Sequence, residues 1–243
     1  MSPPKVSVII VAYRAQGVIS DCIDSLLRQT YPKEKYEIII VVDDNKTYDV
    51  VEKYLSTNTP RIHIEHRTKR GNIPSARNVG VHLSNGEIIA FTDSDCVAHE
   101  CWLEKICKGF EHFPTIVGVG GAVKPFSLDP VSRSLALLNM VSWSGGNRSL
   151  KRQLATSNAA YRKDILTNIG DFDENASVGE DRDLYYRITQ EGHQILYDPE
   201  IVVYHKHRMQ LREVFLWCYS AKKRSIYMLK KYKHYLSSVR QIT

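Results

Sequence analysis

Three acidic groups have residue types and spacing suited to chemistry. Asp43-Asp44 and Asp93-Ser94-Asp95 each follow an apolar run, and Glu180-Asp181 lies within Gly179-Glu180-Asp181-Arg182-Asp183-Leu184. A hard cation such as Mg²⁺ or Mn²⁺ takes oxygen ligands, often one or two carboxylates with phosphate and water completing the set. Such an ion neutralises the charge that a departing diphosphate carries away. In an extended Asp-Ser-Asp the first and third side chains point the same way. Asp93 and Asp95 are therefore the expected metal pair, with Asp95 the direct ligand and Asp93 helping through ribose or water. Asp43 and Asp44 are placed to accept hydrogen bonds from ribose hydroxyls or a base edge. Aspartates at strand ends also cap turns, but two such pairs ending strands of one sheet favour a ligand site.

Glu180 and Asp181 open a helix, where the helix dipole alone would favour acids. The chemical reading makes one of them a general base that removes a proton from an acceptor hydroxyl. Asp181 is the first choice and Glu180 the alternative. In Tyr204-His205-Lys206-His207-Arg208 the two alternating histidines share a face. With a metal-bound diphosphate nearby, His205 is expected to complete the metal site or touch phosphate.

These groups need a frame. Val6–Ala12 (VSVIIVA) and Tyr36–Val42 (YEIIIVV) are continuous apolar, β-branched runs, as strands buried on both faces require. Between them Ile19, Cys22, Ile23, Leu26 and Leu27 follow helical spacing, and Pro32 closes that region. The β-α-β order predicts a mainly parallel α/β sheet with right-handed crossovers. Arg61–Glu65 reads as a third strand, Pro74 opens a small-residue helix, and Glu87–Thr92 is a fourth strand delivering Asp93-Ser94-Asp95. Ligands bind beyond the carboxyl ends of such strands. Further on, Ile116–Val123 is a glycine-bearing strand, and Val131–Trp143 reads as an apolar interfacial helix. Ser144–Arg152 is a basic loop, Asp164 caps a short helix stopping at Gly170, Glu180–Glu191 is a helix, and Gln194–Tyr204 is a strand.

The turn after the first strand, Ala12-Tyr13-Arg14-Ala15-Gln16-Gly17, lacks the Gly-x-Gly-x-x-Gly of dinucleotide-binding oxidoreductases, and no Walker lysine motif appears. Hydrophobic content of 43% and charged content of 25% are those of a globular domain able to bury a core. Five cysteines without zinc-finger spacing read as reduced thiols and predict a cytoplasmic setting, and Met1–Lys5 runs into the first strand without a leader pattern. Charge is uneven. Residues 209–243 hold eight Lys or Arg against Glu213, which leaves residues 1–208 close to neutral within a net charge of +6. Leu211, Val214, Phe215, Cys218 and Tyr219 have helical spacing in that tail. It reads either as a helix packed on the domain or as attachment to an anionic membrane surface, and not as a nucleic-acid site.

VSVIIVAYR, VVDD, GNIPSARNVG, FTDSDC, GDFDE and GEDRDL, in this order, resemble family-2 glycosyltransferases over Val6 to Arg208. The resemblance implies a GT-A (Rossmann-like) fold, a mainly parallel central sheet flanked by helices, here with a C-terminal helical extension. It further implies an inverting enzyme using a nucleotide-activated sugar (UDP-sugar favoured) and Mn²⁺ or Mg²⁺. A catalytic domain over 1–208 would comprise a donor half to about residue 98 and an acceptor half beyond it. Position by position, Ala12 and Tyr13 would line the base pocket with Asp44, and Asp43 would sit beside them. Asn72 and Arg77 would lie near the diphosphate, with Asp93, Ser94 and Asp95 as the metal motif, Asp181 as base and His205 near the metal. Asp44-Asn45-Lys46-Thr47 departs from the family's Asp-Gly-Ser, and Gly170-Asp171-Phe172-Asp173-Glu174 resembles an acceptor-side Gly-Gly-Phe-Asp-Glu. The expected acceptor is a hydroxyl of a saccharide or lipid-linked glycan. A polyprenyl phosphate, already an anion, needs no base; it remains an alternative, as does a non-catalytic nucleotide- or carbohydrate-binding module.

Overall fold

The structure, a computed structural model, describes residues 5–127, 147–150, 153–176, 179–206 and 226–232. The expected helix at Val131–Trp143, His207 and the Leu211–Tyr219 stripe lie outside the described residues. The strands are β1 (Val6–Ala12), β2 (Tyr36–Val42), β3 (Arg61–His66), β4 (Ile88–Asp93), β5 (Cys96–Ala98), β6 (Ile116–Pro125), β7 (Ser149–Leu150), β8 (Ala159–Arg162) and β9 (Gln194–His205). The helices are α1 (Ile19–Leu27), α2 (Asn45–Val51), α3 (Ile73–Leu83), α4 (Trp102–His112), α5 (Lys163–Asn168) and α6 (Glu180–Gln190), with a further helical segment at 226–231.

The strands form one sheet in the order β3-β2-β1-β4-β8-β6-β9-β5, and β7 pairs with β9. β1, β2, β3 and β4 are parallel; β8 is antiparallel to both β4 and β6, so β6 and its parallel neighbour β9 again run with β1. The sheet is thus mainly parallel. Alternation along each strand divides the core. Val6, Val8 and Ile10 face a cluster with Ile23 of α1 and Trp102, Leu103 and Ile106 of α4, whereas Ile9 faces Ala76 and Val81 of α3 and Leu184 and Ile188 of α6. Both faces are buried, which is why β1 and β2 read as apolar runs, with the buried polar pair Ser7 and Glu37 hydrogen bonded to each other. Glycine lets β6 pass its neighbours closely: a Cβ on Gly120 would lie 2.2 Å from the Asn158 carbonyl oxygen.

Several expectations are corrected. Asp164 lies in the first turn of α5, whose N-cap is Arg162 without a side-chain cap bond. Within the expected loop 144–152, Ser149–Leu150 is a short strand that β9 recruits through backbone pairing. Asp93-Ser94-Asp95 is not extended: β4 ends at Asp93 and the chain turns at Ser94 and Asp95 before β5 begins. That turn, not strand alternation, brings the two carboxylates together.

Candidate active site

The carboxyl ends of β1, β2 and β4 lie side by side, with Ala12 opposite Val42 and Val11 opposite Asp93. Asp43 and Asp44 therefore stand on one side of β1 and Asp93 on the other. Asp44 caps α2 by accepting from Thr47 N at 3.0 Å, and its other oxygen accepts from Arg14 N at 2.7 Å. Hydrogen bonds from Arg14 and Thr47 outweigh burial and hold the Asp44 carboxyl below its usual range. Arg14 adopts the left-handed region (φ 52°), a conformation uncommon for a side-chain-bearing residue; Asp44 holds that turn in place. Asp43 is clamped by Arg67, whose Nε and second nitrogen lie 2.6 and 2.5 Å from its two oxygens. Half-buried Tyr13 has the guanidinium of Arg70 3.8 Å and that of Arg14 5.1 Å from its ring centre. Ala12, Tyr13, Asp43 and Asp44 thus form one neighbourhood, bordered by Arg14, Arg67 and Arg70. Sequence reasoning missed Arg67 and Arg70, because only the strand order shows that the end of β3 lies beside that of β2.

The second neighbourhood holds the acids. Ligand atoms of Asp93, Asp95, Cys96 and His205 all lie within 4.8 Å of one another. β9 supplies His205 opposite Cys96 of β5, and cross-strand partners project to the same face. His205 Nε2 is 3.4 Å from Asp95 Oδ1. Two carboxylates and an imidazole fit a divalent cation of the Mn²⁺ or Mg²⁺ kind. Cys96 is a fourth neighbour that sequence reasoning set aside as a core thiol. Burial first, then the charges of Asp93 and Asp95, keep that thiol well above its ordinary pKa; a hard cation prefers the oxygen donors. Ser94 occupies the turn between the two aspartates.

Arg77, on α3 and only 5% exposed at its side chain, joins this group to α6: it lies 3.3 Å from Asp93 Oδ1 and donates to Glu180 Oε1 at 2.7 Å. Burial opposes the guanidinium charge, but Glu180 and Asp93 more than offset it and strengthen its hold on the proton. Glu180 Oε2 accepts from Gly179 N at 3.0 Å, so both its oxygens are engaged. Asp181 accepts from Arg182 N at 2.8 Å. Burial, then the adjacent Glu180 charge, push its carboxyl up to about 6. Asn72 caps α3 through Ser75 N at 2.9 Å and donates to the Glu174 carbonyl at 2.6 Å. Its polar atoms tie α3 to the 170–174 segment.

This architecture is shared with solved glycosyltransferases. A Pyrobaculum calidifontis mannosyltransferase, solved with GDP-Man and Mn²⁺, superposes with a TM-score of 0.70 at 21% identity, covering 99% of this chain and 65% of that one. Staphylococcus aureus TarS 1-349 in complex with UDP gives 0.64 at 22% identity, over 84% and 60%. The fold is therefore GT-A. A family profile described as Glycosyl transferase family 2 matches residues 7–170. Glycosyltransferase AglE of Haloferax volcanii is 30% identical over 84% of this chain and 68% of its own length. The glucosyl-dolichyl phosphate glucuronosyltransferase of the same organism is 28% identical over 88% and 72%. The chain belongs to glycosyl transferase family 2.

Proposed function

We propose that this glycosyltransferase moves a sugar, with inversion, from a nucleoside diphosphate sugar to a hydroxyl of a saccharide or lipid-linked glycan. The observation that carries this reading is the Asp93–Arg77–Glu180 bridge, which ties the candidate metal group to the helix turn that carries Asp181. Asp93, Asp95 and His205 would hold Mn²⁺ or Mg²⁺, which when bound neutralises charge on the diphosphate. Asp181 takes the proton from the acceptor hydroxyl. The oxygen then attacks the anomeric carbon as the bond from that carbon to the diphosphate oxygen breaks. Glu180, with both oxygens engaged, anchors the helix turn. A raised carboxyl pKa near working pH suits a base. Ala12, Tyr13, Asp43 and Asp44 would receive the nucleoside, with UDP the first donor to try. TarS with UDP and the mannosyltransferase with GDP-Man make UDP- and GDP-sugars the two arms of the screen.

A base argues for a hydroxyl acceptor, and the Haloferax relative whose name carries glucosyl-dolichyl phosphate supports a lipid-linked glycan. Among the described residues no helix is long and apolar enough to cross a membrane. We assign residues 1–208 to the catalytic domain and residues 209–243 to a membrane-facing tail. At 226–232 Ile226 and Leu229 are exposed beside Lys230, an apolar and basic surface suited to anionic lipid. The deciding experiment is a turnover assay with Mn²⁺ and UDP-, GDP- and dTDP-sugars, following release of nucleoside diphosphate with and without glycan acceptors. Metal-dependent release sustains the reading. Tight nucleotide binding without release from any donor would make the chain a binding module.

A further inference from the structure

The segment 226–232 does more than cover the domain. Met228 is fully buried, and the rings of Tyr232 and Tyr186 of α6 are 4.0 Å apart. Lys231 Nζ donates to Asp183 Oδ1 at 2.6 Å and also to Asp173 Oδ2. Asp183 is fully buried; it further accepts from Tyr232 OH at 2.7 Å and Arg187 Nε at 2.8 Å. Asp173 accepts from Tyr227 OH at 2.7 Å. Burial opposes charge on both Lys231 and Asp173, but their mutual hydrogen bond and its neighbours prevail and hold the pair ionised. A buried carboxylate is tolerable only when so paired, and without Lys231 only Arg187, held by Asp183, would remain among the described residues to balance the two carboxylates.

The two aspartates belong to different pieces of the catalytic body. Asp173 lies in the 170–174 segment, which α3 grips from the other side: Asn78 Nδ2 donates to the Phe172 carbonyl at 2.9 Å, and Asn78 Oδ1 accepts from Phe172 N at 3.0 Å. Asp183 lies in the first turn of α6, two residues past Asp181. At about 100° per residue the two point roughly 200° apart around the helix, so a hold on Asp183 fixes the turn that presents Asp181 on its other side. Arg77 secures the same turn through Glu180. We propose that Lys231 is a positioning residue: by tying Asp173 to Asp183 it sets the register of α6 and so places Asp181. This rests on the reading of Asp181 as the base.

The test uses the full chain carrying Lys231→Met, with Lys231→Arg as the conservative variant and Tyr232→Phe as a milder one. Misplacing a catalytic group by about 1 Å costs up to about 100-fold. Lys231→Met is expected to lower kcat about 10- to 100-fold while donor KM and Mn²⁺–UDP affinity by calorimetry stay within about twofold. Lys231→Arg should recover most of kcat, and Tyr232→Phe should fall between. Amide hydrogen exchange should quicken in residues 180–190 of Lys231→Met but not in α1. Unchanged kcat with unchanged exchange in α6 would overturn the proposal, as would a loss confined to donor KM. If the wild-type chain turns over no nucleotide sugar, the functional reading fails. The exchange comparison still decides the clamp, because local quickening supports it and identical protection refutes it.

Discussion

Arg77 and Glu180, far apart in sequence, meet at 2.7 Å and join the helix that follows β3 to the helix that carries Asp181. Because the same guanidinium faces Asp93, the bridge ties the candidate metal group to the helix turn that carries the proposed base. It also separates the roles of two adjacent acids. Glu180 is gripped, whereas Asp181 accepts from the neighbouring Arg182 N–H and keeps a raised pKa.

Asp181→Asn is accordingly expected to lower kcat by about 10²–10⁴-fold, the range for loss of a general base, with Mn²⁺–UDP affinity nearly unchanged. Steady-state kinetics paired with calorimetry check both halves. If Glu180→Gln gave that pattern while Asp181→Asn kept its turnover, the assignment would be reversed.

The pH profile gives an independent reading. A base works when deprotonated, so kcat should rise through an acid limb near pH 6, and the limb should vanish in Asp181→Asn. Stability runs the opposite way. A carboxyl whose folded pKa is above its unfolded value of about 3.9 binds its proton more tightly when folded, so its contribution declines as pH rises from about 4 to 6. Asp181→Asn should therefore gain on the order of 1 kcal/mol at pH 7.5 and little at pH 4. Urea titrations at both pH values measure this.

Arg77→Met leaves Asp93 and Glu180 facing each other in a half-buried space without their cation. Breaking such a pair from one side costs about 3–5 kcal/mol, and equilibrium denaturation should show a loss of that order. Arg77→Lys restores the charge but not the planar fork that reaches two carboxylates at once, so it should recover only part. Full recovery by lysine would show that charge alone matters here.

Gly80→Ala sets local preference against packing. Alanine is the better helix former by about 1 kcal/mol, but its Cβ would come 2.5 Å from Ile9 Cγ2 on β1. Overpacking of this kind costs about 1–3 kcal/mol, and the thermal midpoint should fall. An increase would mean that α3 sits away from the sheet.

For the tail, Ile226→Asp with Leu229→Asp should weaken co-sedimentation with anionic vesicles, and salt should weaken the wild type in the same way. Neither residue belongs to the Lys231 clamp, so the exchange rates of α6 should not move. Equal sedimentation of variant and wild type would remove these side chains from the membrane reading.

Apolar runs made the parallel half legible from sequence: β1 and β2 begin and end where the composition changes, and the end of β4 places Asp93 at the sheet's ligand edge. The second half was harder to read. Ala159–Arg162 is too short and too mixed to announce a strand, and only its partners β4 and β6 make it one. α4 carries Trp102, Ile106 and Phe110 at helical spacing, but no capping side chain or motif marks its start. The acids were legible as types, but their partners were not. Arg67 on Asp43, Arg77 on Glu180 and Lys231 on Asp183 are contacts over long sequence separations that depend on the order of strands, which local pattern does not encode.

β8 has a mechanical consequence. It is hydrogen bonded to β4 on one side and β6 on the other, so the backbone ladder runs without a seam from β3 to β5. Among the described residues the sheet is one continuous plate, and its strands offer no hinge between its two ends. For such a plate, any opening for product departure would come from the loops beyond the strand tips, the kind of gating motion that often sets turnover in enzymes.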